Sequence, residues 1–286
     1  MSTVGAALLA TNVSTCVSCA DVYITDIANN RILAYTADGT YLTQWGGSGS
    51  GNGQFSEPRG VAVDINGNVY VSDFVNNRIQ KFSATGTYIT QWGTFGSANG
   101  QLRRPRGVGT DNNGDVYVAD ANNNRVQKFT SAGIYLTQWG GYGSPFDEPG
   151  GLAIDRSNNV YVADIRFFSG SNFRIQKFTA NGNFLLEWSL TYSPTAVAVD
   201  GNVYVSSCDQ NIVQQFTSTG NYITQWGGSG TGNGQFSCPY GIAVDTKGNV
   251  FVADVANTRI QKFTTNGIYL SQFSVGSGTS VRAIAI

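Results

Sequence analysis

Histidine does not occur among the 286 residues. Its absence removes the commonest general acid–base at neutral pH and the commonest metal ligand. Charge is scarce as well: Asp, Glu, Lys and Arg make up 12% of the chain, about half the usual share. The net charge of −1 gives no overall pull towards nucleic acid or an anionic membrane. No apolar run approaches the roughly 18 residues of a membrane-spanning helix. The opening MSTVGAALLATN has a short apolar stretch but no basic flank, so it reads as neither a signal peptide nor an anchor.

Gly, Ser, Thr and Asn fill the place of the missing charge, and the hydrophobic share of 41% allows a sizeable core. Four cysteines occur, Cys16, Cys19, Cys208 and Cys238. The even count, the low Lys and Glu usage and the sequon Asn12-Val13-Ser14 point to an extracellular or cell-surface location.

The chain repeats itself. PRGVAVDINGNVYVSDFVNNRIQKFSATGTYITQWG, from Pro58 to Gly93, returns as PRGVGTDNNGDVYVADANNNRVQKFTSAGIYLTQWG, from Pro105 to Gly140. Degenerate copies begin at Pro149, Pro194 and Pro239, and a truncated one at Asp21. The anchor positions Asp26, Asp73, Asp120, Asp164, Ser207 and Asp254 are spaced by 47, 47, 44, 43 and 47 residues. Each copy holds four short alternating segments; in the second they are Gly60–Asp64, Asn68–Asp73, Arg78–Ser83 and Tyr88–Trp92. Alternation at this length predicts strands, and Asn66-Gly67 and Thr85-Gly86 carry hairpin-turn chemistry. Six four-stranded antiparallel units at this period predict an all-β, six-bladed propeller. The final SVRAIAI aligns with the innermost strand of a unit, Arg282 against Arg59, while the first unit has no convincing copy of that strand. The C-terminal strand is therefore expected to complete the first blade; the competing reading uses Asn12–Val17 as that strand, but its letters fit the repeat poorly. The propeller then spans residues 21–286, behind an N-terminal extension of residues 1–20.

The motifs P-x-G-[VI]-A-V-D, N-V-Y-V-[AS]-D and N-N-R-[IV]-Q-K-F resemble the NHL-repeat family of six-bladed propellers, over Asp21 to Ile286. That family includes RNA-binding modules, a peptide-amidating lyase and extracellular scaffold domains, so the resemblance implies the fold and leaves the activity open. Its lyases depend on histidine-supported metal chemistry, which this histidine-free chain does not offer.

Several constellations repeat with the units. Tryptophans 45, 92, 139, 188 and 226 share one repeat position, with Phe273 in the sixth, which predicts packing between blades. Asp26/Arg31, Asp73/Arg78, Asp120/Arg125, Asp164/Arg174 and Asp254/Arg259 flank the same hairpin, and unit five lacks both partners, with Ser207 and Val213 in their places. Joint loss is what a structural ion pair predicts, because an orphaned buried charge is costly. Cys208 and Cys238 fall on one face and can form a disulfide in place of the lost pair; Cys16 and Cys19 can pair only with each other. The loops Gly46–Phe55 and Gly227–Phe236 are rich in glycine but continue into no helix, so they read as flexible blade connections rather than phosphate cradles. Asp64-Ile65-Asn66-Gly67-Asn68 lacks the distal Glu of a calcium loop. No metal and no cofactor are expected.

One position breaks the symmetry. The residue before the small residue that starts the inner strand reads Arg282, Arg59, Arg106, Gly150, Thr195 and Tyr240 around the ring. Closure by the C-terminal strand sets three arginines side by side at the channel mouth, with Tyr240 nearby and Arg104 just outside. Guanidinium suits bidentate recognition of carboxylate, sulfate or phosphate. The alternative is that each arginine caps loop carbonyls or pairs with a local acid such as Glu57. The leading expectation is a non-catalytic extracellular binding or scaffold module whose partner is a protein or an anionic glycan or peptide. A second is self-assembly into an oligomer or filament, with Ser2–Cys16 adding as a strand to a neighbour. A lyase-like enzyme, nucleic-acid binding and membrane insertion are not expected.

Overall fold

The computed structural model describes residues 22–141, 146–165 and 173–286. The described residues form six four-stranded antiparallel sheets arranged as propeller blades. In the second blade the strands run Pro58–Val63, Val69–Asp73, Arg78–Phe82 and Tyr88–Trp92, from the channel outwards. The inner strand begins two residues earlier than its alternation suggests.

Sequence pattern and burial agree along each blade. The second strands, Val69–Asp73, Val116–Asp120, Val160–Asp164 and Val250–Asp254, are buried at every residue. They lie between two neighbouring blades and bury both faces, which suits β-branched and aromatic side chains. The outermost strands are half-exposed, and Tyr88–Trp92 alternates between partly buried and exposed residues. The core is divided among the seams between blades. Tyr23, Ile32 and Ala34 of the first blade pack with Val61, Val69, Val71 and Phe82 of the second. Trp45 leans onto Phe82 of the next blade, ring centroids 5.8 Å apart. It also covers Gly86, where an added Cβ would lie 2.6 Å from the indole. The same close approach recurs at Gly133, Gly182, Gly220 and Gly267, and Phe273 takes this place over Gly39.

The C-terminal strand, Val281–Ala285, pairs with Val22–Asp26 of the first blade and closes the ring. Ala285 stands opposite Tyr23, Ile284 opposite Ile24 and Val281 opposite Asp26. A shared core of Val22, Ile24 and Leu33 with Phe251, Ala253 and Ile260 seals the seam between the first and last blades. Closure removes the sheet edge that an unpaired last strand would leave.

Two expectations about the backbone change. In the fifth blade Ser207 stands opposite Ile212, the register of Asp73 and Arg78, so Ile212 and not Val213 occupies the arginine position. The alternating pattern on either side is the same, which hid the one-residue shift. The glycine-rich connections are not open spacers either. In Gly46–Phe55 the Phe55 N–H donates to the Gly47 carbonyl and the Gly49 N–H to the Phe55 carbonyl. The Arg78 guanidinium donates to the carbonyls of Ser50, Gly51 and Gln54. Residues 1–21 lie outside the described residues, and with them the Cys16/Cys19 pairing, the extension and its proposed strand addition.

Candidate functional site at the channel mouth

The five Asp–Arg pairs come together across their hairpins at 2.7–3.0 Å. Asp73 shows their use. One carboxylate oxygen accepts the Ser56 N–H, and the other accepts from Asn76, Arg78 and Gln80. Arg125 and Arg259 bind the carbonyls of their own incoming connections as Arg78 does. These pairs hold connections to blades, well inside the protein.

Arg174 pairs with Asp164 but is held differently from the other four arginines. Its Nε and Nη2 both donate to one oxygen of Asp164, at 3.1 and 3.0 Å, while its Nη1 donates to Glu187 at 2.9 Å. It is therefore shared between two carboxylates and not dedicated to one. The physical reason lies on the outer strand. The fourth blade carries Glu187 where Gln44, Gln91, Gln138 and Gln272 offer a neutral oxygen to Arg31, Arg78, Arg125 and Arg259.

Cys208 and Cys238 form a disulfide. They occupy the repeat positions that hold Phe74 and Arg104 one half-ring away, so the bond staples blade five to the start of blade six.

The mouth is built by a bulge. In each of the inner strands that start at Pro58, Pro105, Pro149 and Pro239, the register slips by one residue just after the proline. The closing strand has the same irregularity. A bulge adds an unpaired residue and re-aims its side chain. The residues so turned include Arg59, Arg106, Tyr240 and Arg282, which line one cavity of about 270 Å³ with Ile165 and Thr195. The next residue must be small. A Cβ on Gly60 would sit 2.3 Å from the Arg106 carbonyl oxygen, and one on Gly107 2.6 Å from that of Gly150. Hydroxyls fix the bulges from the preceding blade: Thr25 Oγ1 donates to the Arg59 carbonyl, Ser72 to that of Arg106 and Ser206 to that of Tyr240.

The arginines are unequal. Arg59 Nη2 lies 2.9 Å from Glu57, and its guanidinium carbon lies over the Phe74 ring, 3.4 Å from its centre. Arg106 Nη2 lies 2.8 Å from Glu148. The Nε atoms of both are buried without an acceptor among the described residues. Arg282 lies over the Tyr240 ring at 4.3 Å and has no carboxylate partner among the described residues. Burial, above all, and the neighbouring Arg106 charge hold Arg59 below the usual guanidinium range, against the pull of Glu57. Asp209, exposed, is the acid at the far rim. Three cations thus face acids at Glu57, Glu148 and Asp209, with two of those acids already engaged.

Sequence reasoning placed Arg59, Arg106, Arg282 and Tyr240 at one mouth, and the structure brings them together. It missed Glu148, although Glu148 precedes Pro149 as Glu57 precedes Pro58, and that spacing was the available signal. It also missed the Phe74 platform and the hydroxyls of Thr25 and Ser72. Among the described residues no three Cys, Asp or Glu side chains gather as metal ligands would.

The NHL-repeat family model matches residues 55–82, 102–129, 146–178 and 236–263. The chain is an NHL-repeat propeller. No curated protein matches it. Among solved structures, a chain of the nidogen/laminin complex aligns with a TM-score of 0.71 at 14% identity, over 92% of this chain and 97% of that one. A protein of unknown function from Bacteroides caccae aligns with a TM-score of 0.67 at 12% identity, over 92% and 97%. A catalytically inactive histidine-to-alanine virginiamycin B lyase from Staphylococcus aureus, crystallised with quinupristin, aligns with a TM-score of 0.60 at 18% identity, over 79% of this NHL propeller and 73% of the lyase. At these identities the likeness is one of fold.

Proposed function

We propose that this NHL propeller is a non-catalytic binding module that takes a carboxylate, on a peptide or an acidic glycan, at the channel mouth. The carrying observation is the state of Arg282: it faces Arg59 and Arg106 from the closing strand and stacks on Tyr240 without a carboxylate partner among the described residues. An anion bridging it to its neighbours relieves the mutual repulsion that weighs on Arg59. Tyr240 and Ile165 supply apolar contact beside the charge. The absence of histidine supports a non-catalytic role, since a histidine-to-alanine change leaves the lyase neighbour inactive. The Cys208–Cys238 bond supports an oxidising, extracellular setting.

Citrate is a suitable first probe, titrated calorimetrically at low salt. The intact protein gives a saturable heat that weakens as salt rises. The Arg59→Ala/Arg282→Ala double variant gives none and remains folded, melting a few degrees lower. Undiminished binding by a folded double variant overturns the reading.

A further inference from the structure

The connection into the third blade departs from its sisters on the same face as the mouth. Phe95, Arg103 and Arg104 stand where Gly46–Phe55 and its continuation carry Ser48, Ser56 and Glu57, and where the connection into blade six carries Ser229, Ser237 and Cys238. The backbone is nevertheless the same. Each connection closes with a parallel bridge, Ser48 to Phe55, Phe95 to Leu102 and Ser229 to Phe236. Glu57, Arg104 and Cys238 share φ values of 55°, 53° and 57°. The Arg104 N–H donates to Asn77, as the Glu57 N–H does to Asn30 and the Cys238 N–H to Asn211. The Arg103 N–H donates to Asp120. Fold requirements therefore do not explain the three substituted side chains.

What they make is a groove of about 450 Å³ lined by Val75, Asn77, Phe95, Arg103, Arg104 and Asn122. Phe95 is 68% exposed and Val75 46%. The Arg103 guanidinium lies 5.9 Å from the Phe95 ring, and that of Arg104 5.4 Å from Phe74. Both arginines are exposed, and neither has a carboxylate partner among the described residues. Phe74 carries Arg59 as well. One buried ring thus links the mouth to the groove, and cations follow one another from Arg282 through Arg59 and Arg104 to Arg103.

We propose that this track binds an extended acidic peptide, whose carboxylates meet Arg103 and Arg104 while an apolar side chain packs on Phe95 and Val75. The inference rests on the mouth reading for one end of the ligand and adds its class and direction. Charge complementarity selects the occupant: two guanidiniums without a carboxylate partner among the described residues, beside two exposed apolar side chains, match an acidic segment with an aromatic or aliphatic residue. The chain's net charge of −1 sets the track apart from a general polyanion surface, so the attraction is local.

The sister connections supply a substitution that the backbone accommodates. Phe95→Ser, Arg103→Ser and Arg104→Glu together restore the residues of the connection into blade two. The probe is a fluorescein-labelled Glu-Glu-Phe-Glu-Glu peptide, followed by anisotropy, with citrate binding measured in parallel. The intact protein binds the peptide, and the triple variant binds it about tenfold more weakly or worse while it still gives a saturable citrate heat, weakened less than peptide binding is. Replacing the Phe of the probe by Ala weakens binding to the intact protein and not to the triple variant. Peptide binding that the triple variant retains and the Arg59→Ala/Arg282→Ala variant loses overturns the groove and leaves the mouth reading standing. Loss in the triple variant with full binding by the double variant supports the groove and removes the mouth. No binding to the intact protein, or tighter binding of a labelled oligouridylate that the triple variant loses, overturns the acidic-peptide assignment.

Discussion

The Arg282 guanidinium lies 4.3 Å from the centre of the Tyr240 ring, so the last strand of the chain is clasped by the sixth blade while it hydrogen-bonds to the first. The same strand closes the ring and contributes a cation to the mouth. Fold and candidate site therefore depend on one short segment.

Removal of residues 281–286 tests this dependence. Val281, Ile284 and Ala285 are buried, and their loss exposes the inner edge of Val22–Asp26. At about 2 kcal/mol for each buried aliphatic side chain, the expected cost exceeds about 4 kcal/mol. Urea unfolding of the truncated chain should show a much lower midpoint. Tyr240→Ala, which removes only the clasp, should cost about 1 kcal/mol. An unchanged midpoint on truncation would mean that the strand is not needed to close the ring.

The Asp–Arg pairs give a graded prediction. Arg78 has 8% of its side chain exposed and Arg31 28%. Arg78 also holds three connection carbonyls, whereas the chain of the first blade supplies Arg31 with Gln44. Asp73→Ala leaves a buried guanidinium with its charge uncompensated, so it should cost about 3–5 kcal/mol. Asp26→Ala strands only the more exposed Arg31, whose guanidinium water can reach, so it should cost less, about 1–2 kcal/mol. Thermal melts of the two variants settle the order, and equal losses would refute the view that connection carbonyls set the strength of the pair.

Gly86→Ala probes the seams. Its φ of +85° disfavours a side chain, and the new Cβ would meet the Trp45 indole at 2.6 Å. Strain and overpacking together should cost about 2–4 kcal/mol, with a matching change in tryptophan fluorescence. Gly114→Ala has a similar φ of +81° but open space at the Cβ, so it should lose only the strain part. A smaller loss at Gly86 than at Gly114 would show that the indole moves aside freely.

The repeat made the fold legible. Asp anchors, NG-type turns and the unpartnered SVRAIAI fixed blade number, strand order and closure, because each blade must satisfy the same packing on both faces. Local register was harder to read. Ile212 and Val213 are both apolar and adjacent, and only the pairing with Ser207 separates them. The sharing of Arg174 was equally hidden, since Glu187 lies on an outer strand and meets the guanidinium only once the sheet is formed. The bulge after Pro58 has no letter of its own, since Arg59-Gly60 reads as ordinary strand; the Gly is explained only by its approach to the Arg106 carbonyl. The groove at Phe95 escaped for a similar reason. Its residues are unremarkable singly and become meaningful only when the connections are superposed.

Acid stability should carry the signature of Asp64. Burial pushes its carboxyl up, but hydrogen bonds from the Asn68 side chain and N–H, the Tyr70 hydroxyl and the Asn66 N–H outweigh burial and leave it below the ordinary value of 3.8. A depressed folded pKa contributes stability that is present above the unfolded value. That contribution is lost as pH falls through the folded value. Asp64→Asn should therefore melt lower than the intact protein at neutral pH, with the gap narrowing on acidification below about pH 4. A gap that stays constant into acid would mean that the carboxylate charge is not what stabilises the turn.

The disulfide separates two explanations of the fifth blade. Cys208 and Cys238 enclose a loop of 30 residues. Constraining such a loop in the unfolded chain is worth about 3–4 kcal/mol, so the melting temperature should fall in dithiothreitol. The Cys208→Ser/Cys238→Ser variant should start low and ignore the reductant. If the bond merely replaced the missing ion pair, Ser207→Asp with Ile212→Arg in that background would recover the loss. The geometry argues against recovery. Arg78, Arg125 and Arg259 are held by carbonyls of long glycine-bearing connections. The chain enters blade five through a short turn instead, where the Leu190 N–H donates to Phe173. An arginine at position 212 would find no such loop and would sit half-satisfied beside a buried carboxylate. The expected result is a further fall in melting temperature, and a rise towards the disulfide-bonded value would show that the two devices are interchangeable.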